Sequence, residues 1–378
     1  MLSAEELSRY SRHLRLPGVG IDGQAKLKSS RVLVIGMGGL GSPASLYLAA
    51  AGVGTLGLAD FDTVEAHNLQ RQILHTEASV NHSKLDSATA RLEALNSNVQ
   101  LELYPEGITI DNAIELISQY DLVVDGSDNF PTRYLVNDAA YFARRPLIYG
   151  SIFQFEGQVS RFDPASGGPC YRCLFPQMPA PGTVPNCDEA GVFGALCGIV
   201  GSMQAMEALK TIMGIGEGLL GKLLVIDTLG TRISQLQLKP NPACPLCGTE
   251  PSITALDPEA YSFNCETTDN PTPSMEIDIH TTKAKLESGE TPLLVDVREA
   301  FELEICHLDG ARHIPLGQLP DAVESLPKDR ELIIFCHHGG RSLKAAQFLH
   351  ARGLEHAVSM RGGIHAWAET FEPQMARY

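Results

Sequence analysis

The chain has 378 residues, enough for two or three domains, and its 44% hydrophobic content is ordinary for a soluble globular protein. A formal net charge of −16 argues against a nucleic acid or an anionic membrane as partner. The first residues include acidic side chains and no apolar core, so we expect no signal peptide and a cytoplasmic location.

The first part of the chain alternates apolar runs with helical patterns. This alternation predicts the α/β fold class, with a doubly wound parallel sheet. Val32 to Ala59 is long enough to span a membrane, but its seven glycines and Pro43 favour buried α/β core. The predicted strands are 31–36, 55–60, 99–107, 121–128 and 146–151, and the predicted helices are 41–52, 82–96, 111–120 and 131–145.

The pattern changes after Ser151. The next residues are irregular and β-rich, and a long helix is predicted at about Phe193 to Met213. A stretch rich in Pro, Thr, Asp and Asn then interrupts the periodicity. Beyond it the pattern predicts a small α/β unit, with helices at 281–290 and 342–353 and strands at 292–299 and 331–336. We therefore predict domains at 1–248 and 275–378, joined by a linker at 249–274.

A glycine-rich turn follows the first predicted strand. Gly36, Gly38 and Gly41 have G-x-G-x-x-G spacing between a strand and a helix, where backbone N–H groups attract phosphate. Asp60 ends the next strand, 19 residues after Gly41, where a ribose hydroxyl would bind. Taken alone, this pattern is the dinucleotide fingerprint and would predict a dehydrogenase.

The residues that follow favour a triphosphate instead. Arg71, within "HNLQRQ", and Lys84 could neutralise charge on β and γ phosphates. Asp128 ends a predicted strand at the carboxyl edge of the sheet, where a carboxylate can hold Mg²⁺. The sequence therefore predicts a site for ATP with magnesium.

Residues 1–248 resemble the MoeB/ThiF family of ubiquitin-activating-type adenylyltransferases. The resemblance rests on "RYSRH", "GMGGLG", "DFDTVEAHNLQRQ", "DGSDN", two C-x₂-C pairs and "SMQAMEALK", which occur in this order except that the second pair follows the last motif. It implies a homodimer that adenylates the C-terminal glycine of a ubiquitin-like sulfur carrier ending in Gly-Gly.

The resemblance also implies roles for individual residues. Arg12 would enter the site of the partner subunit. The other residues would hold ATP and Mg²⁺: Gly39 and Asp60 the nucleotide, Asn68, Arg71 and Lys84 the phosphates, and Asp128 with Asn129 the magnesium and nucleotide.

Four of the nine cysteines form two pairs on Pro- and Gly-rich turns. Two C-x₂-C pairs are typical of a structural zinc site. Incidental reduced pairs or a redox C-x-x-C are the alternatives. We predict zinc ligation by Cys170, Cys173, Cys244 and Cys247.

The remaining cysteines differ in their surroundings. Cys197 lies among apolar residues and is predicted to be buried, and we assign no chemistry to Cys265 or Cys306. Cys187 lies in a polar loop, "PNCDEAGVFG". Composition alone favours a structural role for it. The family resemblance implies instead that it accepts the activated glycyl group as a thioester or acyl disulfide.

Near the end of the chain, "CHHGGRS" follows an apolar strand and precedes a helix. Successive N–H groups of such a loop can surround an anion, and Arg341 would favour the thiolate of Cys336. A C-x₄-R loop is one residue shorter than the phosphatase loop, which favours a persulfide over phosphate. His337 and His338 are interpreted as surface histidines that could tune substrate choice.

Residues 275–378 resemble a single rhodanese domain, through "LLVDVRE", "GARHIPLG", "CHHGGRS" and "RGGIHAW". The resemblance implies that Cys336 carries a persulfide supplied by a cysteine desulfurase or thiosulfate. An inactive regulatory rhodanese fold is the alternative, although such domains commonly lack the cysteine.

Together the two parts predict adenylation of the carrier followed by sulfur transfer, which gives a C-terminal thiocarboxylate. The linker would give the persulfide reach toward the activated carrier. The alternatives are a modifier-activating enzyme for protein conjugation, an NAD-dependent dehydrogenase and, least favoured, a scaffold. The sequence leaves the pathway open among molybdopterin, thiamine, tRNA thiolation and cysteine synthesis.

Overall fold

The computed structural model describes residues 2–179, 191–261, 275–289 and 291–377. The chain divides into two compact units, Met1–Asn264 and Cys265–Tyr378. None of the helices in the described ranges has the length and apolar character needed to cross a membrane.

The first unit contains one eight-stranded sheet in the order β3-β2-β1-β4-β5-β6-β7-β8. The first five strands are parallel, as predicted. The β-rich region after Ser151 adds three antiparallel strands to the same sheet, which makes the sheet mixed. The strands are β1 Arg31–Ile35, β2 Thr55–Ala59, β3 Gln100–Tyr104, β4 Leu122–Asp125, β5 Leu147–Phe153, β6 Glu156–Phe162, β7 Lys222–Asp227 and β8 Arg232–Gln237.

Helices cover both faces of this sheet. Val32 and Val34 of β1 belong to one apolar cluster, whereas Leu33 and Ile35 belong to another. A strand buried on both faces is apolar at successive positions, which is why "VLVI" lacks alternation. The helices are α1 Ala4–Arg9, α2 Ser11–Leu14, α3 Gly20–Ser29, α4 Gly41–Ala51, α5 Lys84–Leu95, α6 Ala113–Ser118, α7 Phe130–Ala143, α8 Tyr171–Leu174 and α9 Gly194–Met213.

Part of the predicted linker packs on the first unit. Ile253 N donates to Pro245 O at 2.8 Å, and a 3₁₀ turn follows at Pro258–Tyr261. The Tyr261 hydroxyl donates to Asp138 Oδ2 at 2.7 Å. The rest of the predicted linker, 262–274, lies outside the described residues.

The second unit is a five-stranded parallel sheet in the order β11-β10-β12-β13-β9. Ile334 and Val295 face one apolar cluster, and Ile333 and Phe335 face the other. The strands are β9 Glu276–Ile277, β10 Leu293–Asp296, β11 Arg312–His313, β12 Leu332–Phe335 and β13 Ala357–Met360; the helices are α10 Ile279–Glu287, α11 Ala300–Ile305, α12 Leu319–Ala322, α13 Gly340–His350 and α14 Gly363–Phe371.

Candidate nucleotide, metal and sulfur sites

A cleft of about 960 Å³, including space open to solvent, lies at the carboxyl edge of the first sheet. The sheet reverses its strand order between β1 and β4, and open α/β sheets bind ligands at such a reversal. The predicted residues that line the cleft are Gly36, Gly38, Gly39, Asp60, Arg71, Lys84, Asp128 and Asn129.

The glycine turn requires residues without side chains. Gly36 has φ +81°, a conformation that other residues rarely adopt. A Cβ on Gly41, the first residue of α4, would lie 1.8 Å from Gly36 O. Gly41 therefore permits the close turn, and Gly36, Gly38 and Gly39 form the wall of the cleft.

Asp60 is buried and supports this turn. Its Oδ2 accepts from Met37 N at 2.6 Å, and its Oδ1 accepts from Asp62 N at 2.8 Å. Burial raises the pKa of the Asp60 carboxyl. The carboxylate thus fixes the main chain around the cleft, and its predicted ribose contact stays a prediction.

The predicted cations occupy different positions. Lys84, at the start of α5, is only 6% exposed, and its Nζ lies 2.8 Å from Asp62 Oδ2. The Nη1 of Arg71 donates to His67 O at 3.4 Å. Both line the cleft, as a site for polyphosphate requires.

Two other predicted residues are not among the lining residues. Asn68 is buried in a 3₁₀ turn, where its Oδ1 accepts from Glu65 N at 3.2 Å. Arg12 is exposed on α2. Its predicted role concerns a partner subunit and stays a prediction.

Asp128 and Asn129 lie beyond β4, which ends at Asp125 rather than at Asp128 as the sequence suggested. Asn129 caps α7 by accepting from Thr132 N at 2.9 Å. Asp128 is exposed at the cleft, 3.5 Å from Asn129 Nδ2. A carboxylate so placed fits the oxygen chemistry of a magnesium ligand.

Arg133 is a residue that sequence reasoning missed. It lines the cleft, is 7% exposed, and donates from Nη2 to Ser127 O at 3.0 Å. Its Nε lies 3.7 Å from Oδ2 of the fully buried Asp125. The sequence did contain a signal for this residue, because Arg133 lies on the first turn of α7, the helix that follows β4.

The two cysteine pairs meet, although 74 positions separate Cys170 from Cys244. Their four sulfur atoms lie within 4.8 Å of one another, with contacts of 3.3–3.9 Å. A disulfide would need about 2 Å, whereas the sulfurs of a tetrahedral zinc site lie about 3.8 Å apart. Asn241 N donates to Cys173 Sγ at 3.3 Å, an outer-shell contact typical of thiolate ligands. The cluster fits zinc.

Cys336 lies at the end of β12 and is 2% exposed. Gly339 N donates to its Sγ at 3.1 Å, and the Ser342 hydroxyl lies 3.6 Å from the same atom. Ile364 N at the start of α14 donates to Cys336 O at 2.9 Å. A Cβ on Gly363 would lie 2.4 Å from Cys336 O, so this approach requires glycine. The loop therefore directs N–H and O–H donors at one sulfur.

Arg341 is paired in a way that the sequence did not predict, and its predicted effect on the Cys336 thiol stays a prediction. Its two terminal nitrogens donate to Glu302 Oε2 and Oε1, each at 2.6 Å. The bidentate pair commits the guanidinium to a carboxylate. The described contacts to the sulfur come from Gly339 and Ser342 instead.

His337 and His338 also differ from each other. His338 is exposed, as expected for a surface histidine, whereas His337 is half-buried. Burial, together with His338 and His365, lowers the pKa of His337 to about 4. His337 is therefore neutral at physiological pH.

The other cysteines complete the account. Cys197 is buried as predicted, and it also lines the nucleotide cleft beside Gly39. Cys306 is buried against Arg298, whose Nη1 lies 3.6 Å from its Sγ. Cys187 and Cys265 lie outside the described residues.

Comparison with known families and relatives agrees with this division. Residues 10–246 match the ThiF family, and residues 278–370 match the rhodanese-like domain. The probable adenylyltransferase/sulfurtransferase MoeZ of Mycobacterium tuberculosis is 44% identical over 384 residues, which cover all of this chain and 96% of that protein. The adenylyltransferase and sulfurtransferase MOCS3 of Mus musculus is 41% identical over 407 residues, covering all of this chain and 88% of that protein.

Solved structures show the same fold. A crystal structure of E. coli MccB superposes with a TM-score of 0.58 at 24% identity, over 65% of this chain and 75% of that one. A PaaA crystal structure gives a TM-score of 0.54 at 26% identity, over 63% and 75% of the two chains. The chain thus belongs to the ThiF family and, with its C-terminal rhodanese-like domain, is an adenylyltransferase and sulfurtransferase.

Proposed function

We propose that the protein uses ATP to adenylate the C-terminal glycine of a ubiquitin-like sulfur carrier. It then transfers sulfur from Cys336 to give a thiocarboxylate. The observation that carries the proposal is one chain with two anion sites of different chemistry. One is a cleft lined by Arg71, Lys84 and Asp128, and the other is a thiol surrounded by hydrogen-bond donors.

The cleft suits the first step because a carboxylate attacks an anionic phosphorus poorly. Lys84 and Arg71 stabilise charge on the phosphates, and the glycine turn brings main-chain N–H groups close to them. Mg²⁺ held by Asp128 would supply further neutralisation when the nucleotide is bound. The carrier carboxylate displaces pyrophosphate from the α-phosphate and forms an acyl-adenylate.

The loop at Cys336 suits the second step. The Cys336 thiolate, which Gly339 N and the Ser342 hydroxyl stabilise, attacks the sulfane sulfur of thiosulfate or of a desulfurase persulfide. The S–S bond of the donor breaks, and sulfite or the desulfurase thiolate leaves.

Cys187 displaces AMP from the acyl-adenylate and holds the glycyl group as a thioester. The terminal sulfur of the Cys336 persulfide then attacks the glycyl carbonyl, displaces the Cys187 thiolate and forms an acyl disulfide. A thiolate cleaves this disulfide at the Cys336 sulfur and releases the thiocarboxylate. The resulting disulfide with Cys336 requires a cellular reductant.

Further assignments belong to the same proposal. We place the domains at 1–248 and 275–378, with Zn²⁺ held by the four clustered cysteines. Cys187 receives the glycyl group before sulfur transfer. The protein acts in the cytoplasm as a homodimer in which Arg12 serves the partner's cleft. In each cleft Gly36, Gly38, Gly39, Gly41, Asp60, Asn68 and Asn129 position the nucleotide.

The test is the intact mass of candidate carriers ending in Gly-Gly after incubation with the protein, Mg-ATP and thiosulfate. Replacement of one carboxylate oxygen by sulfur supports the proposal. A carrier that turns over ATP but is recovered joined to other proteins would favour the modifier-activating alternative. An unchanged carrier with no pyrophosphate release from any candidate would contradict both.

A carrier reaction with Cys187→Ala tests the intermediate. Normal thiocarboxylate yield, with no carrier adduct in Cys336→Ala protein, would contradict a role for Cys187. A hydroxylamine-sensitive adduct that disappears when Cys187 is replaced would support it.

A further inference from the structure

Three histidines come together beside the Cys336 loop, in an arrangement that neither adenylation nor sulfur transfer uses. His337 and His338 belong to the loop itself, and His365 belongs to α14. One ring nitrogen from each lies within 4.8 Å of the others. The ring centroids are 4.0 Å apart for His337 and His338, 4.7 Å for His338 and His365, and 5.4 Å for His337 and His365.

The side-chain contacts of His365 leave one ring nitrogen for a ligand. Its Nε2 lies 3.7 Å from Glu369 Oε1, one turn further along α14. Its Nδ1 is buried and has no hydrogen-bond partner among the described residues. A carboxylate on one ring nitrogen and a metal on the other is the usual arrangement of a metal-binding histidine.

The backbone already holds the three residues together. His365 N donates to His337 O at 3.0 Å, and Ile364 N donates to Cys336 O at 2.9 Å. The start of α14 is therefore tied to the loop. Nitrogens of a tetrahedral zinc site lie about 3.3 Å apart, so binding requires side-chain rotations that move these atoms by about 1.5 Å or less.

We propose that His337, His338 and His365 form a second metal site, which takes a divalent late transition metal such as Zn²⁺. Imidazole nitrogens suit Zn²⁺, Ni²⁺ and Cu²⁺. Three protein ligands leave a fourth position for water or a small anion, in contrast to the closed set of four cysteines. Because two ligands belong to the loop between Cys336 and Arg341, the bound metal restrains that loop and slows sulfur transfer from thiosulfate.

The test uses the full-length protein after metal analysis has confirmed one zinc per chain on the cysteines. Titration calorimetry with Zn²⁺ should detect one further ion per chain in the wild type. His365→Ala and His338→Ala should each weaken this binding by about tenfold or more, as expected for loss of a ligand. His307→Ala is the matched control, because His307 is an exposed histidine of the same unit outside the cluster. It should bind like wild type.

Two further measurements make the outcome decisive. Cys336→Ser should retain the additional zinc; its loss would overturn the three-histidine set by placing the thiolate in the site. Added Zn²⁺ should slow thiosulfate sulfur transfer in the wild type and the His307→Ala control, but less in His338→Ala, whose exposed side chain can be removed without unfolding. Absence of zinc binding beyond the cysteine site, or equal binding by every histidine variant, would overturn the proposal.

Discussion

The two candidate sites are assembled in opposite ways. The nucleotide cleft collects residues from positions as far apart as Gly36 and Cys197, and most of them meet because parallel strands end at one edge of a sheet. The sulfur site is one continuous loop, 336–342, supported by the start of α14. A dispersed site depends on the packing of its whole unit, whereas a continuous loop depends mainly on its own conformation. Substitutions should therefore affect the two sites differently.

Cys336→Ala should have the largest effect. Sulfur transfer from thiosulfate should fall by about a thousandfold or more, because the nucleophile is removed. Carrier-dependent pyrophosphate exchange should be unchanged, because none of the residues lining the cleft belongs to the loop. Both rates can be measured on one preparation. A parallel fall in exchange would show that the two sites are not independent.

Arg133→Met should destabilise the first unit by about 3–5 kcal/mol, because it leaves the buried Asp125 without its ion-pair partner. Calorimetry of the full-length protein should resolve this as a lower melting temperature for one transition. Asp125→Asn in the same chain should recover part of the loss. An Arg133→Met protein as stable as wild type would contradict a stabilising role for the pair of Arg133 and Asp125.

Asp128→Ala should lower pyrophosphate exchange by about a hundredfold while leaving thiosulfate sulfur transfer intact, because the proposed magnesium ligand is removed from an exposed position. The matched control is Asp111→Ala, since Asp111 is an exposed aspartate outside the cleft. Excess Mg²⁺ should restore part of the activity. Equal exchange rates for the two variants would contradict the assignment.

Cys170→Ser should reduce the bound zinc from about one ion per chain to a small fraction, because three ligands remain. The melting temperature of the first unit should fall by roughly 5 °C, since metal binding contributes to folding free energy. Cys306→Ser, in the second unit, is the control for loss of a buried cysteine. Metal analysis showing no zinc in wild-type protein prepared without chelator would reject the site.

The smallest expected effect is on the pH dependence of stability, and it concerns His75, which supports the glycine turn. Its Nε2–H donates to Met37 O at 3.0 Å, and its Nδ1 lies 2.9 Å from Ser87 Oγ. Burial lowers the pKa of His75, and the charge of Lys84 acts in the same direction. The unfolded chain therefore binds more protons than the folded chain below about pH 6.5.

The neutral His75 ring therefore contributes its full stabilisation above about pH 6.5. This contribution is lost as the pH falls toward the lowered pKa of His75. Unfolding of wild type and His75→Gln should be compared between pH 7.5 and 5.5. The wild type should lose more stability, by up to about 1.4 kcal/mol per pH unit. Identical slopes would contradict a neutral buried His75.

Local patterns predicted much of this molecule. The apolar runs predicted the parallel strands, and the glycine spacing predicted the turn that Gly36 and Gly41 require. The spacing of the two cysteine pairs predicted that they would meet. The strands and the turn are determined by residues close together in the sequence, whereas the meeting of the cysteine pairs follows from the ability of four thiolates to share one metal ion.

The features that the sequence did not predict depend on tertiary contacts. Arg133 lies in a helix whose pattern does not reveal its proximity to Asp125. Arg341 pairs with Glu302, 39 positions away, a partner that the loop sequence alone does not reveal. His365 reaches the two loop histidines only because α14 begins against the loop. The sequence likewise did not predict that three antiparallel strands would join the parallel sheet, because strand pairing depends on the tertiary fold.

The cysteine cluster has a topological consequence. Joining Cys170 to Cys244 closes a segment of 74 positions that contains α9, and α9 carries Cys197 into the wall of the cleft. In the chain-entropy treatment of a disulfide, a crosslink closing such a loop is worth about 4 kcal/mol. Unlike a disulfide, a crosslink through the proposed zinc ion would be opened by chelation or acid rather than by reduction. The rigidity of one wall of the nucleotide cleft would therefore follow metal supply in a reducing compartment, where a disulfide could not persist.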